Sequence, residues 1–92
     1  MSQVTVQIPP PLRVFADDAA ELTVEAGTIA EALDAIGAGR EPLIARILTP
    51  EGELRPYVNV FLGERNVRRL NGLQTPLAEG DVIAIIPAVA GG

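Results

Sequence analysis

The sequence predicts an α+β fold in which one main helix packs across a mixed sheet of four to five strands. Three stretches carry that expectation. "VTVQI" (Val4 to Ile8) alternates apolar and polar residues, the period of a half-buried strand. "GTIAEALDAIGAG" sets Ile29, Leu33 and Ile36 at helical spacing between a cap and a pair of glycines. "VIAII" (Val82 to Ile86) is a near-continuous apolar run, as expected of a strand in the middle of a sheet with both faces contacted.

Each element follows from its local chemistry. In the first strand Val4, Val6 and Ile8 share one face, and "PPP" (Pro9 to Pro11) ends the ladder because proline donates no backbone hydrogen bond. "LRVF" and the acidic "ADDAA" read as a polar link to a second strand marked by Leu22 and Val24, so the chain opens with a hairpin. Asp17 and Asp18 have no further carboxylates arranged around them, and a solvated turn outweighs a metal site there.

Thr28 with Glu31 three residues later forms a capping box for the helix, and Gly37 and Gly39 stop it. "EPLIARIL" reads as a further turn or two of helix with Pro42 at its first position, and "TPEGELRP" as a loop. "YVNVFLGERNV" supplies a third strand, with Val58, Val60 and Leu62 on one face and Tyr57, Asn59 and Phe61 on the other. A Gly63–Asn66 turn leads to a short partner strand at Val67 to Leu70, and Asn71–Gly72 marks another tight turn. In "PLAEGDVIAIIP" Gly80 takes the left-handed position before Asp81, the last strand runs from Val82 to Ile86, and Pro87 ends it.

Composition narrows function mostly by what it lacks. At 92 residues the chain is expected to be one domain. It contains no Cys and no His, which removes thiol nucleophiles, thiolate metal sites and the commonest general base. No apolar run is long enough to span a membrane, no signal peptide precedes the first strand, and a cytoplasmic protein is expected. A net charge of −5 disfavours nucleic acid and anionic membranes as partners. The seven basic residues are all arginine. Codon usage accounts for that without chemistry. The chemical alternative is that a chain bearing an activated carboxyl group gains from having no lysine amine to attack it.

The order hairpin, helix, strand, short strand, final strand, with the first and last strands parallel at the centre, is that of the ubiquitin-like β-grasp. On that frame "PLAEGDVIAIIPAVAGG" (Pro76 to Gly92) resembles the closing segment of the MoaD/ThiS family of sulfur carriers: a leucine, a Gly-Asp turn, a strand, a proline and a short segment ending in Gly-Gly. The resemblance extends back through "YVNVFLGERNVRRLNGLQT" and more loosely to "VTVQIP". Within the family, the stretch from "LRPYVNVFL" onward is most similar to the carriers that feed cysteine synthesis.

That resemblance implies a cycle and its partners. A ubiquitin-activating-type adenylating enzyme uses ATP and magnesium to adenylate the Gly92 carboxylate, sulfur displaces AMP, and the thiocarboxylate donates sulfur to a synthase. The synthase is cysteine synthase or the large subunit of molybdopterin synthase. The chain itself is a co-substrate, not an enzyme, and binds no cofactor or metal. The domain is expected at residues 1–87, with 88–92 as an extended flexible tail. Gly91 and Gly92, lacking Cβ atoms, pass a narrow channel, while Pro87 aims Ala88, Val89 and Ala90 outward. The sheet face left uncovered by the helix is expected to dock on partners, with Tyr57, Phe61 and Arg68 as contact residues. The competing reading is that "PLIARIL" or the long loop covers it. For Arg68 and Arg69, a solvated strand edge competes with a partner contact. Three other functions remain open: a MoaD-like small subunit of molybdopterin synthase, a protein modifier joined to lysines through Gly92, and an interaction module whose Gly-Gly is incidental.

Overall fold

The computed structural model of the chain describes residues 1–87. Five strands form one mixed sheet: β1 (Ser2–Gln7), β2 (Glu21–Ala26), β3 (Val58–Leu62), β4 (Arg65–Asn66) and β5 (Val82–Pro87), in the order β2-β1-β5-β3-β4. β1 and β5 are parallel neighbours at the centre, and the other pairings are antiparallel. Two helices, α1 (Ile29–Gly37) and α2 (Glu41–Ile47), cover one face. The architecture is the ubiquitin-like β-grasp that the element order predicts.

The core grows from the alternation in each strand. Val4 and Val6 of β1, Ile83 and Ile85 of β5, and Val58 and Val60 of β3 point to the same side and are buried. Against them α1 lays Ile29, Ala32, Leu33 and Ile36, and α2 adds Leu43 and Ile47 to the same cluster. Each fully buried side chain of this size contributes about 1.5–3 kcal/mol by leaving water.

The helix signals operate as read, with one shift. Thr28 Oγ1 accepts from the Glu31 amide at 3.2 Å, while Glu31 Oε1 accepts from the Gly27 amide at 2.7 Å, one residue before the cap itself. Past α1, Gly39 holds the left-handed φ of +74° that turns the chain toward α2. Thr75, the one buried polar residue among those described, donates to Gly72 O at 2.7 Å and accepts from the Asn71 amide. Gly80 has the expected positive φ, +86°.

Four local expectations require correction. Pro10–Ala16 is a 3₁₀ helix, not a polar link, and it buries Leu12 and Ala16. The prolines that end the β1 ladder also start this helix, since a first helical turn needs no amide donors and Pro9 already has φ −68°. Pro42 is the second helical residue of α2, after Glu41. The turn after β3 is Gly63–Glu64, so β4 comes early, at Arg65–Asn66, and Val67–Arg69 is 3₁₀ helix. Asn66 causes that break: its Oδ1 accepts from the Arg68 amide at 2.9 Å and caps the helix.

The fourth correction concerns the last strand. Pro87 belongs to β5, opposite Val58. The Gly63 amide donates to Val82 O, so along β5 every second residue from Val82 exchanges hydrogen bonds with β3, and Ile85 and Pro87 direct their backbone groups to the other side. On that side β1 has ended its pairing at Gln7–Ala84. The missing N–H of Pro87 therefore faces an open edge, where proline is tolerated.

Candidate functional site

β5 also departs from the expectation that both its faces are contacted. Ile83 and Ile85 are buried, but Val82 is 40% and Ile86 48% exposed. α2 does not cover that side, because Leu43 and Ile47 join the core on the α1 face. Among the described residues the second sheet face is open.

This face has a composition gradient set by strand order. β2 contributes Glu21, Thr23 and Glu25, and β1 contributes Gln3, Thr5 and Gln7. Then comes the apolar stripe of Val82, Ala84 and Ile86 on β5, with Phe61 of β3 directly opposite Ala84. Asn59 sits opposite Ile86, and its Oδ1 accepts from Asn66 Nδ2 at 3.2 Å. Beyond Phe61, a shallow hollow is lined by Glu64, Arg65, Asn66, Arg69 and Leu70. The arrangement is an apolar centre with acid on one flank and arginine on the other.

Of the residues expected to contact partners, Phe61 alone lies on this stripe. Tyr57 stands in the turn before β3, 53% exposed, and borders a hollow with Pro42, Ala45, Arg46 and Arg55. It is thus separated from Phe61, with which strand alternation had grouped it. Arg68 lies nearby, and its Nη2 donates to both Arg55 O and Val58 O at 2.7 Å. Its guanidinium fastens the start of β3 to the loop before it. Arg55 Nε in turn donates to Ala45 O at 2.8 Å, tying the same loop to α2. Backbone-directed bonds of this kind leave no mark in sequence.

Val58, held by Arg68, is the Cα partner of Pro87. Pro87 therefore sits at a braced corner of the sheet, on its central strand. Ala88, Val89, Ala90, Gly91 and Gly92 lie outside the described residues. Asp17 and Asp18 form a turn with φ of +57° and +62°, and Asp17 Oδ2 accepts from Arg40 Nη2 at 3.3 Å.

A β-grasp with one covered face and one open apolar stripe defines the class: a ubiquitin-like protein. The chain belongs to the ThiS family, whose profile matches residues 6–92. It is 33% identical to sulfur carrier protein CysO of Mycobacterium tuberculosis, over 97% of this chain and 98% of that one. A putative sulfur carrier protein of Archaeoglobus fulgidus is 45% identical over 53% of this chain, which is 56% of that protein's length. Small archaeal modifier protein 3 of Haloferax volcanii is 37% identical over 71% of this chain and 70% of its own. Among solved structures, the Amycolatopsis orientalis BexX/CysO complex contains a chain superposing with a TM-score of 0.89 at 32% identity, covering 97% of this chain and 99% of that one. No helix among the described residues is long and apolar enough to cross a membrane.

Proposed function

We propose that this chain is a sulfur carrier that works through the carboxyl group of Gly92, with residues 1–87 as the folded domain and 88–92 as the reaching segment. The observation that carries the reading is that the family match extends through residue 92, so that Gly91 and Gly92 are among the matched residues. Similarity to CysO over nearly the full length supports cysteine synthesis as the pathway, with molybdopterin synthase as the alternative acceptor.

The chemistry explains the design. A carboxylate is a poor electrophile because its leaving group would be oxide. Its oxygen attacks the α-phosphorus of magnesium-bound ATP on an activating enzyme, and pyrophosphate leaves. Sulfide then attacks the acyl carbon, AMP leaves, and a thiocarboxylate remains. This soft anion attacks an electrophilic carbon as a thiolate does, so the chain carries transferable sulfide without a cysteine. The reaction consumes ATP and is set in the cytoplasm.

Five residues beyond Pro87 reach at most about 17–18 Å, far enough to enter another protein's active site while the domain stays outside. The open stripe of Val82, Ala84, Ile86 and Phe61 is the docking face for activating enzyme and synthase. Tyr57 flanks the entrance at the corner braced by Arg68.

The test is an intact mass of the protein after incubation with a ubiquitin-activating-type adenylating enzyme, ATP and sulfide, beside a control extended beyond Gly92. Replacement of one oxygen by sulfur on Gly92, absent from the control, supports the carrier; no change with a competent enzyme overturns it. Fragment ions separate this mass from oxidation of Met1, the sole sulfur atom of the chain. A second reading, a modifier joined to lysines, is favoured by similarity to the small archaeal modifier protein. Its mark is an amide between Gly92 and a lysine of another protein.

A further inference from the structure

We propose, on the basis of the carrier reading above, that the activated chain is inert toward itself and acylates only nucleophiles of other molecules. An acyl adenylate reacts with any deprotonated amine in reach: the C–N bond forms, the C–O bond to AMP breaks, and AMP and a proton leave. The sequence contains no lysine. All its cationic side chains are guanidinium groups, which stay protonated and do not act as nucleophiles.

The fold extends this protection to the opposite terminus. β1 and β5 run parallel, with Gln7 level with Ala84. Met1 therefore lies nine strand steps from Pro87, about 30 Å at the usual rise. The segment from Pro87 to Gly92 reaches at most about 17–18 Å. Even an amine at Met1 is beyond the acyl carbon of its own chain. Had these two strands been antiparallel, that end would sit beside the reacting group. At the braced corner where any lysine would lie within reach, the chain has Arg55 and Arg68, which point their donors at backbone carbonyls.

The consequence concerns product. Without sulfide the adenylate survives until water or an outside amine takes it, and a conjugate is not extended through a lysine of the attached domain, which has none.

The test compares native protein with Glu21→Lys and Glu21→Arg. Glu21 is exposed, two strands from β5 at the level of Ala84, well within reach of the segment beyond Pro87. Each protein is incubated with activating enzyme and ATP without sulfide, and pyrophosphate release and intact mass are read together. The expected result is a species lighter by one water in Glu21→Lys alone, with an amide from Gly92 to residue 21. Water loss in native protein overturns the proposal. So does its absence from Glu21→Lys when pyrophosphate is released, since shielding by the enzyme would then explain the inertness. Absence of pyrophosphate release from all three proteins refutes the carrier reading instead.

Discussion

Val58 and Pro87 face one another as the last pair of the β3–β5 ladder, and Arg68 holds Val58 from the other side with a 2.7 Å hydrogen bond to its carbonyl. The covalent route to Gly92 starts at that pair.

Under the proposed carrier chemistry, Gly92→Ala places a methyl group beside the reacting carbon. Adenylation is expected to fall by at least tenfold, read as ATP–pyrophosphate exchange, while the melting temperature stays unchanged. Undiminished exchange would show that the enzyme does not read the last Cβ.

Ile86→Ser removes exposed apolar surface from the open stripe. Folding stability is expected to fall by only about 1 kcal/mol, since about half of the side chain is exposed to solvent in the free protein. Affinity for the activating enzyme is expected to drop severalfold, measured by calorimetry. A variant that binds as tightly as native protein would remove β5 from the docking face.

Gly37→Ala sets two effects against each other. Helix propensity favours alanine by about 1 kcal/mol. A Cβ at this position would lie 2.9 Å from Ile44 Cβ, where α1 and α2 meet, and overpacking costs about 1–3 kcal/mol. Sterics wins, and the variant is expected to melt several degrees lower. A rise in melting temperature would mean that α2 shifts aside freely.

Asp18 has φ +62° and is exposed, directly after Asp17 at +57°. A left-handed conformation costs a non-glycine residue about 1 kcal/mol. Asp18→Gly is therefore expected to raise stability by up to about 1 kcal/mol in urea denaturation, whereas Asp18→Val lowers it. Destabilisation by glycine would show that the aspartate side chain holds the turn.

Much of this arrangement was legible in the residues. Thr28, Glu31 and the Ile29–Leu33–Ile36 stripe announced α1, and the alternation around Val4 and Val6 announced β1. Where the sequence misled, local signals had two physical meanings. Three prolines end a strand, but they also open a 3₁₀ helix. The run Val82 to Ile86 is apolar throughout, yet an apolar side chain left at the surface is spelled as one aimed at the core. Only the position of α2 distinguishes them. Phe61 was legible as a face residue because strand period fixes it. Tyr57 was not, because the turn before β3 breaks the alternation. The links from Arg68 to two carbonyls depend on tertiary geometry that no spacing encodes.

The central place of β5 has a mechanical consequence. A protein held by its C-terminal segment in another enzyme's channel is pulled along the axis of β5. Because β1 and β3 flank this strand, the load falls on two ladders in shear, and their hydrogen bonds resist together instead of parting one after another. The exception is Ile86 and Pro87, beyond the last β1 pair at Gln7–Ala84, where Ile86 alone bonds to β3. Under tension those two residues part from the sheet first, which moves the pivot of the following segment back toward Ile85 before the paired part of the sheet bears strain.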